Sequence, residues 1–356
     1  MAQGTLYSSL KFLRFQEQLD ALKQGTVAPP VHIRIKPTNV CNQDCWYCAY
    51  KVSHLELGAN MVERDVIPEA KMHEIADDCI EMGVKAITFS GGGEPLIYKP
   101  LPDIVQKLAR GGIRVATLTN GINLKGRMAD AFAEHGTWVR ISIDGWDNPS
   151  YVKARGVGEG DFEAVVQNMR DFTARGSDCV LGVSFIVTQD NAAHLAHAVA
   201  RFKEAGVNHV KLSGAVVANS GAENNAYHRP LMATVEAQIA QARKLEDDRF
   251  TLIDHYHALE ERFDKPYTRC PFLQFLTVIG ADLKVYTCQD KAYTDSGLLG
   301  AIDQQRFKDY WFSEENRQRM QSFDPSQSCS HHCVAHSKNL AILDYLNIDP
   351  DHGLFV

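Results

Sequence analysis

Three cysteines, Cys41, Cys45 and Cys48, fall within the run Cys41-Asn42-Gln43-Asp44-Cys45-Trp46-Tyr47-Cys48. Three thiolates this close can hold three corners of a cubane iron–sulfur cluster, whereas a fully ligated cluster takes four. The remaining iron is then an open coordination site, much as a catalytic zinc with three protein ligands keeps a place for substrate. A structural zinc completed by His54 meets the same spacing. A disulfide framework does not. Nine cysteines is an odd count, and the start, MAQGTLYSSLKFLRF, lacks the continuous apolar stretch of a secretory signal.

Residues 86–90 read as a short buried strand, and Gly91-Gly92-Gly93-Glu94-Pro95 follows it. Glycines after a strand let backbone approach a ligand closely, and the Glu94 carboxylate can accept from an ammonium group. Far downstream stand Cys270, Cys288, Cys329 and Cys333, the first two flanking a hairpin-like stretch, 275–286, that turns at Gly280-Ala281-Asp282. Four thiolates gathered this way make a closed site, suited to zinc or to a fully ligated [4Fe–4S] cluster. Cys79, among apolar helix neighbours, and Cys179, opening a strand, read as core thiols.

These groups need a scaffold. Strand-like runs at 31–36, 86–90, 114–119, 138–143, 180–188 and 209–213 alternate with helical periodicity, as at 69–82, 101–110, 162–174 and 193–205. Met82-Gly83, Arg175-Gly176 and Ala205-Gly206 carry the glycine of a helix C-cap. Six β/α units in this order predict a parallel sheet. With 45% hydrophobic and 23% charged residues the composition is that of an ordinary globular protein. A net charge of −7 argues against a nucleic-acid partner, and no apolar run approaches a membrane span. Cysteines collected into two groups indicate metal binding in a reducing compartment, hence a cytoplasmic location.

The cysteine triplet after a first strand, with Tyr47 just before its third member and the glycine run ending the next strand, resembles the radical S-adenosylmethionine (radical SAM) enzymes. The resemblance covers about residues 28–340. It implies an α/β fold, a partial (β/α)6 TIM-like barrel with its chemistry at the C-terminal strand ends. It implies a [4Fe–4S] cluster on Cys41, Cys45 and Cys48, with SAM on the open iron. It further implies that Gly92, Gly93 and Glu94 receive the methionine amino group, that Ser142 and Arg155 meet the SAM ribose and carboxylate, and that Tyr47 lies near the adenine. Val187 either packs on the adenine or is plain strand core, and Asp144, before Gly145, reads as a turn cap.

The pattern Cys270, Val285-Tyr286-Thr287-Cys288, Gly297-Leu298-Leu299-Gly300, Tyr310-Trp311, Cys329, Cys333 resembles the SPASM/twitch extension, in its short form with one auxiliary [4Fe–4S] cluster. The final pair is spaced one residue longer than usual, and Leu283 stands where a glycine is usual. His331, His332 or His336 could therefore substitute as a ligand. The expected order is a helical extension (1–27), the barrel (28–229), whose Ala/Asn/Gly-rich end at 214–229 reads as a linker, a helical linker region (230–268), a small cysteine-rich α+β domain (269–340) and a tail (341–356).

The chemistry implied is reductive cleavage of SAM to a 5′-deoxyadenosyl radical that takes a substrate hydrogen, with a flavodoxin- or ferredoxin-type electron donor. A second, closed cluster makes net oxidation of dehydrogenase type the expected outcome, and redox-neutral epimerisation the alternative. On strand one, His32, Arg34 and Lys36 alternate with Val31, Ile33 and Ile35. If the polar face lines the barrel lumen, the site is cationic. Lys36 and Lys211 then meet a small anionic substrate: a sugar derivative, nucleotide or carboxylate. The opposite phase puts Arg34 and Lys36 on the helix side. Asp254, His255 and His257 offer acid–base groups, or else begin a surface helix. Residues 16–23 read as a helix, not a leader-binding domain, which favours a metabolite over a precursor peptide awaiting maturation. A non-catalytic zinc or iron–sulfur binding protein would leave the glycine run and the Ser142 and Arg155 stretch unexplained.

Overall fold

The alternating pattern folds into one continuous sheet in the computed structural model, which describes residues 8–256 and 263–355. A short helix, α1 (Gln16–Gln24), precedes β1 (His32–Ile35). The chain then runs through α2 (Glu69–Glu81), β2 (Ala86–Phe89), α3 (Leu101–Arg110), β3 (Arg114–Thr119), α4 (Gly126–His135) and β4 (Gly136–Ser142). It continues through α5 (Asn148–Arg155), α6 (Asp161–Thr173), β5 (Val180–Val187), α7 (Leu195–Glu204), β6 (His209–Gly214), α8 (Gly221–His228), α9 (Met232–Arg243) and β7 (Thr251–His255). Strands β1 to β7 pair in sequence order, all parallel.

Period-two alternation sorts the two faces of this sheet. Ile33, Ile35, Ile87, Phe89, Val139, Ile141, Val183, Phe185, Val210 and Leu212 all join the main apolar core with the helices. The residues between them, His32, Arg34, Thr88, Arg140, Ser142, Ser184, Lys211 and Ser213, take the other face, which is the concave lumen of a partial barrel. The expected phase on strand one is the one in which Arg34 and Lys36 face inward.

The C-terminal segment extends the same sheet. Strand β8 (Leu276–Ile279) lies parallel to β1, on the side opposite β2, with His32 beside Leu276 and Ile35 beside Ile279. The antiparallel strands β9 (Lys284–Tyr286) and β10 (Leu298–Ala301) complete it. Leu283 takes a left-handed φ of 58° in the β8–β9 turn, which accounts for the glycine expected there: the backbone shape is kept without it. Helices α10 (Phe307–Trp311), α11 (Glu314–Ser322), α12 (Pro325–Ser328) and α13 (His336–Leu346) follow. Trp311, fully buried, donates its indole N–H to the Ala28 carbonyl at 2.8 Å, and Ile342 packs with Phe12, Leu19, Val31 and Phe275. The two ends of the chain thus share a small core.

Three expectations change. The stretch 230–268 is not helical throughout, because Thr251-Leu252-Ile253 carries the residue types of a strand and adds β7 beside β6. Residues 214–229 are not a bare linker: Ser220 caps α8 through the Glu223 amide. Helix α13 also runs through the boundary expected at 340. Among the described residues, no helix is long and apolar enough to cross a membrane.

Candidate active site

The loop after β1 carries the cysteine triplet and is pinned at each step. The Cys48 amide donates to the Cys45 carbonyl at 3.0 Å, and the Asp44 amide to the Arg155 carbonyl at 2.9 Å. Asn42 accepts from the Asn120 side chain at 2.7 Å, and Gln43 donates to the Tyr151 hydroxyl at 2.8 Å. Cys41, Cys45 and Cys48 are half-buried, and all nine cysteines are free. Burial pushes the Cys41 thiol up to about 11, with Glu94 and Cys45 adding to the rise, and Cys45 is raised by burial, by Asp144 and by Cys48. Crowded thiols of this kind become thiolates when a cation supplies the missing charge. The donor set therefore fits a cluster held by three sulfurs.

The glycine run closes against this loop. Gly93 donates to the Thr38 carbonyl at 3.1 Å and Glu94 to the Val40 carbonyl at 2.9 Å. A Cβ on Gly92 would stand 2.0 Å from Asn39 Oδ1, and one on Gly93 would stand 2.0 Å from the Val40 carbonyl oxygen. Glycine is needed here for two backbones to meet. Glu94 is 2% exposed; its Oε1 accepts from Thr119 Oγ1 at 2.6 Å and from the Leu96 amide at 2.9 Å, and its Oε2 accepts from the Asn120 amide at 2.7 Å. Burial raises its pKa while these three donors oppose the rise. A carboxylate has about four acceptor positions, so a place remains for an ammonium group. We expect Gly92→Ala to weaken SAM binding and to destabilise the fold by about 1–3 kcal/mol, since Asn39 is itself buried and tied to Val62 and Tyr293. Equilibrium dialysis with SAM and a denaturant melt read the two effects; unchanged values in both would mean that the loop simply yields.

Strands β4 and β5 supply the opposite wall. Ser142 lies half-buried on the lumen face, in register with Ser184. Asp144 is not a turn cap. Its carboxylate accepts the Ile186 amide at 2.6 Å and also bonds the Arg155 guanidinium and the Tyr47 hydroxyl. Arg155, the last residue of α5, is buried, with its Nη1 3.5 Å from Cys45 Sγ and its Cζ 5.7 Å from the Tyr47 ring centroid. It finds a carboxylate partner inside the chain, and its buried Nε has no hydrogen-bond partner. Val187 shares a face with Val183 and Phe185 and is fully buried in the helix-side core, so it reads as strand core. The lumen-facing neighbour is Ile186.

The lumen between these walls is strongly cationic. Lys36 is 1% exposed, donating to Tyr50 Oη at 2.7 Å and to the Gly91 carbonyl, with its Nζ 4.2 Å from the Tyr50 ring centroid. Burial, then Arg34, lowers its pKa to about 7. Arg34 is held down by burial and by Arg140. Lys211 lies half-buried at the level of Ser184. On β7 the acid–base candidates separate. Asp254 aligns with buried Leu212 on the helix side, accepts from the Tyr256 amide at 2.9 Å and approaches Arg243 at 3.7 Å. It is therefore withdrawn from the site. His255 aligns with Ser213 on the lumen side, and neither begins a surface helix. His257 lies outside the described residues. Arg140 was missed, although it stands two residues before Ser142 and so shares its face.

The downstream cysteines gather on the β1 side. Cys270 precedes the turn Pro271–Gln274, Cys288 follows β9, Cys329 ends α12 and Cys333 lies just before α13. Burial raises all four thiols, Cys270 and Cys329 to about 12 and Cys333 to about 11; neighbouring cysteines of the group raise Cys270, Cys288 and Cys329 further, and Asp290 does so for Cys333. Neighbouring thiols of this kind would suit a closed cluster, whose iron would supply the charge that makes them thiolates. One sulfur of Cys288, one carboxylate oxygen of Asp290 and one ring nitrogen of His331 also lie within 4.8 Å of one another, and both His331 nitrogens are buried without a hydrogen-bond partner. His331 is thus the histidine placed to substitute, whereas His336 bonds the Tyr267 hydroxyl at 3.2 Å. Tyr50 joins the two cysteine groups: it lies two residues beyond Cys48, and its hydroxyl donates to the Gln289 carbonyl, beside Cys288, at 3.3 Å.

Residues 35–202 match the Radical SAM superfamily. A probable GTP 3′,8-cyclase of Metallosphaera sedula is 24% identical over 60% of this chain and 64% of its own length. The pre-heme d1 synthase of Dinoroseobacter shibae is 32% identical over 62% of this chain and 52% of its own. The chain thus spans less than two thirds of the length of these curated relatives. In fold it is similar to Streptococcus suis SuiB bound to the precursor peptide SuiA, with a TM-score of 0.64 and 14% identity, covering 94% of this chain and 80% of that one. Residues 35–202, which carry the cysteine loop, the glycine run and most of the parallel barrel, thus form a radical SAM domain, a family whose members use a [4Fe–4S] cluster and SAM.

Proposed function

We propose that the protein cleaves SAM reductively and uses the resulting radical to oxidise a small anionic substrate held in the barrel lumen. The observation that carries this is the run of cations on the lumen face, Arg34, Lys36, Arg140 and Lys211, of which Arg34 lies near enough to Cys288 and Lys36 near enough to Cys48 to feel their charge. When bound, the [4Fe–4S] cluster and SAM supply a 5′-deoxyadenosyl radical able to take a hydrogen atom from a C–H bond. Cys41, Cys45 and Cys48 hold that cluster with one iron left open. Glu94 accepts the methionine ammonium, and Arg155, steadied by Asp144, keeps its Nε for the carboxylate. Lys36, with an amine near neutrality, takes the proton that leaves the oxidised carbon's hydroxyl or amine. Cys270, Cys288, Cys329 and Cys333 would hold the closed cluster that accepts the substrate's electron, and a flavodoxin- or ferredoxin-type protein would supply the electron that SAM cleavage consumes. The domain order we propose counts β7 in the barrel and the whole of α13 in the auxiliary domain.

The name of the Metallosphaera relative carries GTP, an anionic nucleotide, which agrees with a cationic lumen. Peptide maturation, the second reading, is supported by likeness of fold to SuiB and by a PqqA peptide cyclase of Xanthomonas oryzae, 25% identical over 62% of this chain and 58% of its own length. The test is anaerobic reconstitution of the parent and of a Cys288→Ala/Cys333→Ala variant. We expect about eight irons per parent chain, and in the variant retained 5′-deoxyadenosine formation with loss of oxidised product. Zinc without acid-labile sulfide would end the radical reading. Oxidised product from the variant at the parent rate would leave the auxiliary site structural and favour epimerisation.

A further inference from the structure

We propose that Tyr293, in the C-terminal segment, is a positioning residue for SAM: it holds in place the two side chains against which the glycine run sits. This rests on the reading that Gly92, Gly93 and Glu94 receive the methionine end of SAM, and it names what keeps them in shape. Tyr293 lies between β9 and β10, fully buried, with a left-handed φ of 59°. A bulky side chain adopts that backbone only where its surroundings fix it, and such residues gather at functional sites. Its hydroxyl accepts from the Ala281 amide at 3.0 Å and donates to Asn39 Oδ1 at 2.6 Å, and its carbonyl accepts from the Asn60 amide at 2.9 Å. One residue thus ties the β8–β9 turn to the chain on either side of the cysteine triplet.

Asn39 and Met61 are the side chains that lie against Gly92. A Cβ there would stand 2.0 Å from Asn39 Oδ1 and 2.9 Å from Met61 Sδ. Tyr293 acts on both. It bonds the first, and the second packs against the apolar cluster of Val278, Tyr286, Ala292 and Tyr293. Asn39 is fully buried, its side-chain amide donating to the Val62 carbonyl at 3.0 Å. The residues flanking it, Thr38 and Val40, offer the carbonyls that accept from the Gly93 and Glu94 amides. Taking away the Tyr293 hydroxyl deprives Asn39 Oδ1 of that donor, and a buried acceptor in want of a partner turns or draws in water. Either response moves the surface under Gly92, and with it the backbone that leads into Glu94. Tyr286 is the natural comparison. Its ring centroid lies 5.4 Å from that of Tyr293, but its hydroxyl donates to Asp282 at 2.7 Å, within the β8–β9 turn.

Equilibrium dialysis of the reconstituted full-length protein with SAM, and 5′-deoxyadenosine formation against SAM concentration, test this. We expect Tyr293→Phe to weaken SAM binding about threefold to tenfold, the factor that one lost hydrogen bond carries, with the loss falling on KM for SAM more than on kcat. Tyr286→Phe deletes a buried hydroxyl from the same cluster and should keep the parent's affinity. Asn39→Ala should weaken binding at least as much as Tyr293→Phe, and the two together little more than Asn39→Ala alone. Iron content and Tm mark a folded variant; if Tyr293→Phe fails them, Asn39→Ala against Tyr286→Phe carries the decision. SAM affinity unchanged in Tyr293→Phe, matched in its loss by Tyr286→Phe, or lost additively in the double variant overturns the assignment. Affinity lost in Tyr293→Phe yet kept in Glu94→Ala leaves Tyr293 standing and removes the Glu94 contact instead.

Discussion

Replacing Cys41, Cys45 or Cys48 with alanine is expected to abolish 5′-deoxyadenosine formation, with iron falling from about eight to about four per chain. Loss of one sulfur leaves two, and an incomplete shell does not retain the cluster. The auxiliary cysteines approach from the other side of β1, on segments that the triplet loop does not build, so the remaining iron should stay. Undiminished 5′-deoxyadenosine from any of the three variants would overturn the ligand assignment. The loop contacts make a trivial unfolding explanation checkable, because the backbone bonds of Cys48 and Asp44 do not involve the sulfur.

Asp144→Ala should lower stability by about 3–5 kcal/mol, read as an earlier urea midpoint at unchanged slope. Its carboxylate and the Arg155 guanidinium are 1% and 7% exposed, so removing the acid strands a buried cation. Burial works against the charge on Arg155, and Asp144, followed by Tyr47 and Cys45, outweighs it. The same substitution frees the Ile186 amide and the Tyr47 hydroxyl. Asp144→Ala combined with Arg155→Met should then cost less than the sum of the single changes, since the second removes the stranded charge. Additive losses, or a single loss under about 1 kcal/mol, would show that the pair does not hold this wall.

Much of the barrel was legible because its signals are local. The helix at 101–110 and the strand at 114–119 have the bounds that periodicity sets, and Gly83, Gly176 and Gly206 take left-handed φ values of 74°, 65° and 88° after their helices. What escaped depends on partners far apart in the chain. Asp144 before Gly145 looks like turn chemistry, and nothing nearby reveals that Arg155, Tyr47 and Ile186 converge on it. Glu94 likewise owes its position to Thr119 and Asn120, on the next strand. Of the two readings of Val187, strand core fits its place in β5: Ser184 marks the lumen phase, and counting from it gives Ile186. The same count on β7 sets Asp254 off the lumen by one residue.

The parallel pairing of β8 with β1 bears on how the protein is made. His32–Ile35 emerges from the ribosome early, yet one of its two hydrogen-bonded neighbours, Leu276–Ile279, follows roughly 240 residues later. At the usual pace of synthesis, about 5–20 residues per second, one edge of the first strand waits ten seconds or more for cover. Until then it is an open template beside the loop that must later hold iron. Cluster delivery before the last third of the chain has been translated would meet cysteines on an unfinished wall. The assembly machinery is therefore expected to act on released, full-length chains, and a nascent chain stalled before residue 276 should take up no iron that resists a mild chelator.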